Sequence, residues 1–431
     1  MQGFHLMIEK KMPSARSQAS FLMDIILGEQ RLLSEINLSS VMKNLSTSDR
    51  ARSQRLLLNA LRSLERADAL LLPLLKKRPN LKIFNILRLA TVEIMDNGDA
   101  HGIVNEYVSI VGMQKRLQNY KGLVNAVLRK VAASEQSTWN NMKVPQLPKW
   151  LRRMLLKSYE SSIVEKIEKQ HLERPPVDIT LKNRALIKYF CNELKGTEIF
   201  KHSLRLKNAG QLSKLAGFNE GDWWVQDLSA SIPVLLVEEI KGKSALDLCA
   251  APGGKTMQMA AAGAHVTAVD ISENRSSKLK ENLTRTSLEA KIVISDLFEI
   301  KNLFDVIILD APCSATGTIR RHPDLPYAKS GVGLNKLFSM QYKMLEHAVS
   351  LMKPNSQLIY CTCSLLPQEG EHQVHKLLSN FRELRVDKYL PNDLVFLEEY
   401  RTHEGGLRLL PNHFSETGGT DGFYIAKLVK V

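Results

Sequence analysis

SALDLCAAPGGKT, residues 244–256, begins as an apolar strand and runs into a two-glycine turn followed by Lys255 and Thr256. Gly253 and Gly254 let the backbone turn tightly and approach a ligand, ahead of a helix N-terminus that favours negative groups. The turn matches neither G-x-G-x-x-G nor G-x-x-x-x-G-K-[ST], which removes the dinucleotide and P-loop patterns. Taken alone it is equally an ordinary strand-to-helix turn. The segments downstream of the turn decide the fold. HVTAVD (265–270), AKIVISD (290–296), DVIILD (305–310) and QLIYCTC (357–363) are short apolar strands alternating with helical stretches at 254–263, 272–284 and about 335–352. Such alternation predicts a parallel sheet with helices on both faces. In these sheets ligands bind beyond the C-terminal ends of the strands.

Those ends carry chemistry. The second strand finishes in Asp270, 16 residues past Gly254, where a carboxylate can accept hydrogen bonds from ribose hydroxyls. The third finishes in Asp296 and the fourth in Asp310. One such aspartate is more often a helix cap, but all of them beside a glycine turn outline a nucleoside-binding rim. The fourth strand continues into Asp310-Ala311-Pro312-Cys313 and then the basic turn Arg320-Arg321-His322; the fifth delivers Cys361 and Cys363. Cysteines from neighbouring strand ends should converge on one cleft. A metal site is disfavoured, because no His or fourth Cys stands at zinc-like spacing, and no metal is expected. Thiolate attack on a substrate carbon is the other reading. Two cysteines compete for that role, and spacing does not rank them. Cys361 is expected on the opposite face of the strand from Cys363, as a packing residue.

The length of 431 residues suggests about three domains. Hydrophobic residues make up 44% and charged residues 24%, ordinary for a protein with real cores. No apolar run reaches the ~18 residues of a membrane helix, and MQGFHLMIEKKMP lacks a signal-peptide core, so a cytoplasmic protein without membrane contact is expected. Five cysteines without framework spacing fit reduced thiols. The net charge of +14 is uneven: residues 1–150 hold 22 Lys+Arg against 12 Asp+Glu, whereas the remainder holds 37 against 33. A basic module for docking a polyanion, joined to a catalytic domain, has this signature, although charge does not choose between RNA, DNA and anionic lipid. The basic segment reads as all-helical. Ile83, Leu87, Ala90 and Ile94 form one stripe, Leu57, Leu61 and Leu64 another, Asn97-Gly98 marks a turn, and GLVNAVLRKVA (122–132) resumes the pattern.

LDLCAAPGGKT, DAPCSATGTIRRHPD, YCTCS and GTDGFYIAKL closely resemble the motifs of the S-adenosylmethionine-dependent RNA cytosine-C5 methyltransferases. The N-terminal block, with GLVNAVLR, resembles the NusB-type RNA-binding fold. That pairing is similar to the bacterial 16S ribosomal RNA methyltransferase B family (RsmB, also Fmu or Sun). The resemblance implies an all-α NusB-like domain over 1–138, a small α+β linking domain on the substrate side over 139–235, and a Rossmann-like α/β methyltransferase domain over 236–431. It implies S-adenosylmethionine as cofactor, held by Cys249, Ala250, Ala251, Pro252, Gly253, Gly254 and Lys255, with Asp270 on the ribose and Asp296 beside the adenine. It further implies that Cys363 attacks C6 of a cytosine, that Cys313 aids proton removal and product release, and that Asp310 holds the base edge and the cofactor amine. Arg320, Arg321 and His322 are candidates for phosphate contacts. The expected partner is 16S ribosomal RNA, free or in an early ribosomal particle, and the expected state is a monomer. Transfer RNA as target, or a non-catalytic antitermination-type factor, are the competing readings. Two departures stand out: Ser231, in VQDLSAS, replaces a customary Gln, and Cys361 replaces a small residue.

Overall fold

The computed structural model describes residues 14–430 except Asn97, Lys201, His202 and Asn208. The N-terminal MQGFHLMIEKKMP stretch and Asn97 of the expected turn lie outside these residues. The chain forms two compact units, residues 1–152 with 322–330, and residues 153–321 with 331–431.

The first unit is helical: α1 (Ala15–Glu29), α2 (Thr47–Arg62), α3 (Leu64–Leu71), α4 (Leu81–Met95), α5 (Ala100–Met113) and α6 (Lys121–Ala132). Side-chain caps set several starts, with Ser46, Asn80 and Asp99 each accepting a backbone N–H at the third helical residue. The expected stripes are buried, including Leu57, Leu61, Ile83, Leu87 and Ala90. However, α4 is buried nearly all round and not on one stripe, so it is the central helix of the unit. Its polar residues are matched accordingly: Arg88 sits on Asp68 through two 2.6 Å hydrogen bonds, and Asn85 donates to Asp24 at 2.8 Å. The segment His322–Ser330 joins this unit, where Asp324 accepts from Leu33 N at 2.8 Å and Tyr327 donates to Leu61 O at 3.2 Å.

The second unit opens with α7 (Ser161–Leu172) and a four-stranded antiparallel sheet of β1 (Val177–Leu181), β2 (Thr197–Phe200), β3 (Ser203–Leu206) and β4 (Trp223–Val225), in the order β2-β3-β1-β4. α8 (Leu228–Leu235) leads into the alternation expected from sequence. It comprises β5 (Ser244–Leu248), α9 (Gly254–Ala261), β6 (His265–Asp270), α10 (Glu273–Thr286), β7 (Lys291–Ile294), β8 (Phe304–Asp310), α11 (Leu334–Ser350) and β9 (Met352–Thr362). α12 (Glu371–Asn380), β10 (Leu384–Val386), β11 (Leu407–Leu409) and β12 (Phe423–Lys430) complete it.

The strand order is β10-β12-β9-β8-β5-β6-β7, with β11 also on β12. The expectation of a parallel sheet holds from β9 to β7, but β12 runs antiparallel to β9, so the sheet is mixed. Leu246, Leu248, Ile307, Leu309, Leu358 and Tyr360 line one core, while Ala245, Val306, Ile308, Ile359 and Cys361 line the other. Both faces are covered, which is why the strands read as continuous apolar runs. The chain reverses its direction of travel across the sheet between β5 and β8, and the ends of those two strands are where a ligand crevice forms. No described helix is long and apolar enough to cross a membrane.

Candidate active site

Beyond β5 the backbone turns through Cys249, with φ +63°, to Gly253, with φ +106°, before α9 begins. The positive φ of Gly253 is what favours glycine there, and a Cβ would also meet a terminal methyl of Leu279, which would have to turn aside. Asp270, at the end of β6 and almost fully buried, ties the turn down: Oδ2 accepts from Ala251 N at 3.1 Å and Oδ1 from Ser272 N at 3.0 Å. Arg275 braces the same turn through the carbonyl of Ala251 and lies 3.5 Å from Asp270. Below the turn, Thr256 donates to Asp247 Oδ2 at 2.5 Å, while Asp247 Oδ1 has no partner among the described residues. Burial pushes the Asp247 carboxyl up to about 7 against the effect of that hydrogen bond. Asp296 is exposed just beyond β7 and caps a short helical turn, accepting from Phe298 N at 3.1 Å. The donor set suits an adenosyl sulfonium. A glycine-lined cradle lies beside carboxylates able to accept from ribose hydroxyls and to offset positive charge, and one buried acceptor is left unfilled.

Asp310 ends β8 beside this turn. Its Oδ2 accepts from Lys255 Nζ at 2.7 Å, and its Oδ1 lies 3.7 Å from Cys361 Sγ. Lys255 is nearly buried, whereas the Asp310 side chain is 34% exposed, so the carboxylate is the open member of the pair. Burial alone would lower the Lys255 pKa, but the charge and hydrogen bond of Asp310, with the nearby Cys361 and Asp247, together outweigh it and hold the ammonium above its ordinary range.

Three residues further on, Cys313 Sγ lies 3.4 Å from Cys363 Sγ. The expected convergence of the two strand ends is therefore met in the geometry. The Cys313 thiol is held well above the usual range by its hydrogen bond with Cys363 and then by burial. Cys361 corrects one expectation. It is fully buried but packs against the same apolar cluster as Cys363, because residues two apart on a strand share a face. Tyr360 and Thr362 take the other face, where both hydroxyls donate to Glu369 O. Cys361 also touches Asp310, so it is part of the site floor as well as of the core.

Sequence reading missed Glu369. Its fully buried carboxylate accepts from Ser314 N at 2.8 Å and Ser314 Oγ at 2.5 Å, from Ser364 Oγ, and from Gln341 Nε2 at 3.0 Å. Ser314 and Ser364 each follow one of the paired cysteines, so one carboxylate sets both sulfur-bearing loops. Its signal was present in the Glu-rich segment after YCTCS, but nothing local says that it turns inward. Charge-assisted bonds of this kind contribute about 1.5–3 kcal/mol each. Glu369→Gln is expected to lower the melting temperature and to slow single-turnover methyl transfer at least tenfold. A variant with normal turnover would show that the carboxylate does not set the sulfur geometry. Gly317 closes the same loop: its N–H donates to Cys363 O at 3.0 Å, and a Cβ there would collide with Gly422.

Arg320 and Arg321 are not free for phosphate. Arg320 is fully buried and donates to Asp421 Oδ1 at 2.5 Å, Asp227 Oδ2 at 2.9 Å and Gly418 O at 2.7 Å. Arg321 reaches Asp421 at 3.0 Å, Asp227, and Pro176 O at 2.9 Å. The cause is electrostatic: two buried carboxylates need cations, and leaving either unpaired costs several kcal/mol. Burial would raise the Asp227 carboxyl, yet Arg321 and Arg320 hold it far below the usual range. His322 is exposed and belongs to the helical unit. Ser231, the departure from the customary Gln, is buried, its hydroxyl donating to Leu228 O at 2.7 Å while its main-chain carbonyl accepts from Gln258 Nε2 at 2.9 Å. A concavity of about 1260 Å³ along α10 and β7 is lined by none of the cysteines, aspartates or glycines of this site.

A glycine turn and carboxylate rim at the switch point of a mixed, mostly parallel sheet define a Rossmann-like, S-adenosylmethionine-dependent methyltransferase. The family model described as 16S rRNA methyltransferase RsmB/F matches residues 234–429, and that of the NusB family matches residues 15–133. A protein named ribosomal RNA small subunit methyltransferase B from Erwinia tasmaniensis is 30% identical over 444 residues, covering 98% of this chain and all of that protein. Its namesake from Yersinia pestis is 32% identical, covering 96% and 98%. Among solved structures, PH0851 is similar with a TM-score of 0.74 at 21% identity, covering 96% of this chain and 99% of that one. A methyltransferase homolog protein from Pyrococcus horikoshii has a TM-score of 0.52 at 24% identity, covering 66% and 100%. The chain belongs to the ribosomal RNA small subunit methyltransferase B family.

Proposed function

We propose that this protein methylates C5 of a cytosine in 16S ribosomal RNA through a covalent bond between Cys363 and C6. The observation that carries the reading is the Cys313–Cys363 sulfur pair, 3.4 Å apart, near the partly exposed carboxylate of Asp310. C5 of cytosine is a poor nucleophile. Addition of the Cys363 thiolate to C6 moves electron density toward C5 and N3, and N3 takes a proton delivered by Asp310 as its carboxylic acid, leaving the carboxylate on Lys255. When bound, S-adenosylmethionine supplies the methyl group as a sulfonium. The C5 proton is then lost to a base while the C6–S bond breaks and Cys363 leaves as the thiolate; Cys313, whose sulfur lies against Cys363, assists this elimination. In the cofactor turn, Cys249 to Lys255 line the ligand, Asp270 holds the ribose and Asp296 flanks the adenine.

The target cytosine reaches the site single-stranded or flipped from its stack. Residues 1–138 supply sequence-independent RNA affinity that weakens with salt, 139–235 link on the substrate side, and 236–431 perform the chemistry. The protein acts as a cytoplasmic monomer on free RNA or an early ribosomal particle. Its relatives' name, ribosomal RNA small subunit methyltransferase B, supports that target over transfer RNA. Bisulfite mapping of ribosomal RNA from cells with and without the gene tests it: one 16S cytosine should lose its protection when the gene is absent. Protection lost only from transfer RNA would overturn the assignment.

A further inference from the structure

With the paired arginines committed to Asp227 and Asp421, other cations must meet the RNA backbone near the catalytic unit. We propose that a cleft between α7 and the Ser415–Gly418 turn, continuing into an aromatic pocket at the edge of the four-stranded sheet, binds a single-stranded segment of the substrate RNA outside the active site. The inference rests on the RNA reading of the proposed function.

The cleft has a volume of about 830 Å³. Lys166 and Lys169, three residues apart and therefore on one helix face, project from α7; Arg174 follows the helix and Lys207 follows β3. All four are exposed, and the carboxylates among the lining residues are Glu173 and Glu416. The excess of cations suits a polyanion. Beside it lies a pocket of about 450 Å³ with Phe200, Phe396 and Phe414 in its wall. The ring centroids of Phe200 and Phe396 are 5.2 Å apart, and those of Phe396 and Phe414 are 6.2 Å apart. Phe396 is 40% exposed, so a ring is offered to solvent that a closed core would have covered. Lys207, Glu416 and Thr417 line both cavities, making them one continuous surface.

A cationic groove that tracks a backbone, next to aromatic faces on which a base can stack, is the physical basis of single-strand binding. An acidic peptide would use the groove but would leave the aromatic pocket without an occupant. The surface is also mechanically tied to the chemistry. Gly418 and Gly419 both have positive φ, which lets their turn lie against Pro176 and Gln170. The carbonyl of Gly418 takes Arg320, and that of Pro176 takes Arg321. The cleft wall and the loop bearing Cys313 thus hang on one buried ion cluster, and RNA in the cleft is held in register with the sulfur pair.

Fluorescence anisotropy of full-length protein with a labelled 12-nucleotide single-stranded RNA tests the proposal. Lys166→Glu/Lys169→Glu should weaken binding about tenfold or more and flatten the log–log salt slope by roughly 1.4, the effect of two lost phosphate contacts on a single strand. Phe396→Ala should weaken binding at least about fivefold through lost stacking, with the slope unchanged. Melting temperature and S-adenosylmethionine affinity serve as folding controls, since all three positions are exposed. If the parent methylates RNA and both variants bind as the parent does, the cleft is overturned and the enzymatic reading survives, whatever else docks on that face. A parent that transfers no methyl group to any RNA overturns both.

Discussion

Cys363→Ala is expected to abolish methyl transfer, by on the order of 10⁴-fold or more, as loss of a covalent nucleophile does elsewhere, while leaving S-adenosylmethionine affinity within about twofold. The reason is geometric. Cys363 sits just past the end of β9, half-buried, with its sulfur against Cys313, whereas the cofactor turn after β5 is held by Asp270 at the end of β6 and by Arg275 of α10. Removing one sulfur at β9 takes away the atom that would bond C6 and disturbs none of the hydrogen bonds of that turn. Radiolabelled methyl transfer and equilibrium cofactor binding, measured on one preparation, separate the two effects. A Cys363→Ala protein with near-normal turnover would end the covalent reading.

Cys313→Ala should behave differently. Here the nucleophile remains, so addition to C6 and methylation proceed, but the group that assists proton loss and release is missing. A covalent protein–RNA complex should accumulate, seen as a retarded, methyl-labelled band on a denaturing gel that disappears in the Cys363→Ala/Cys313→Ala double variant. The structure supports the asymmetry. Cys313 lies 3.4 Å from Cys363, and its thiol is held above the usual range by the hydrogen bond to Cys363, by burial, and by the charges of Cys363 and Glu369. Absence of any adduct, together with full turnover, would remove Cys313 from the reaction.

The helical unit also bears on how such tests are designed. Pro323, Asp324, Leu325 and Pro326 are buried, and they come directly after the loop that carries Cys313. They belong to the unit built from the N-terminal helices, with Tyr327 packed against its core. Truncating residues 1–135 would uncover them, so point reversals of exposed charges are the cleaner probe of RNA docking by that unit.

How far the sequence could be read depends on which interactions are local. The strands, the glycine turn and the three aspartates were legible because period, turn chemistry and strand ends are written in consecutive residues. The helical N-terminal segment is legible for the same reason, although the single stripe of α4 does not tell that Arg88 and Asn85 are buried and paired with Asp68 and Asp24. Cys361 shares a face with Cys363, as the two-residue strand period itself requires, and the sequence does not say that its sulfur also meets Asp310. The antiparallel β12 was recognisable as a closing strand, but its direction depends on where the chain returns to the sheet.

By itself, then, the order of residues determined the Rossmann-like alternation, the cofactor turn, and the set of sulfurs and carboxylates from which a site is built. Tertiary structure alone decided which of them meet. It brought Cys313 within 3.4 Å of Cys363 across 50 residues of chain, set Glu369 beneath both, and turned Arg320 inward onto Asp227 and Asp421. The physical reason is that burial makes an unpaired charge or polar group far costlier than it is in water, so the partner of each such group is chosen by the packed interior, across any sequence distance, and not by its neighbours in the chain.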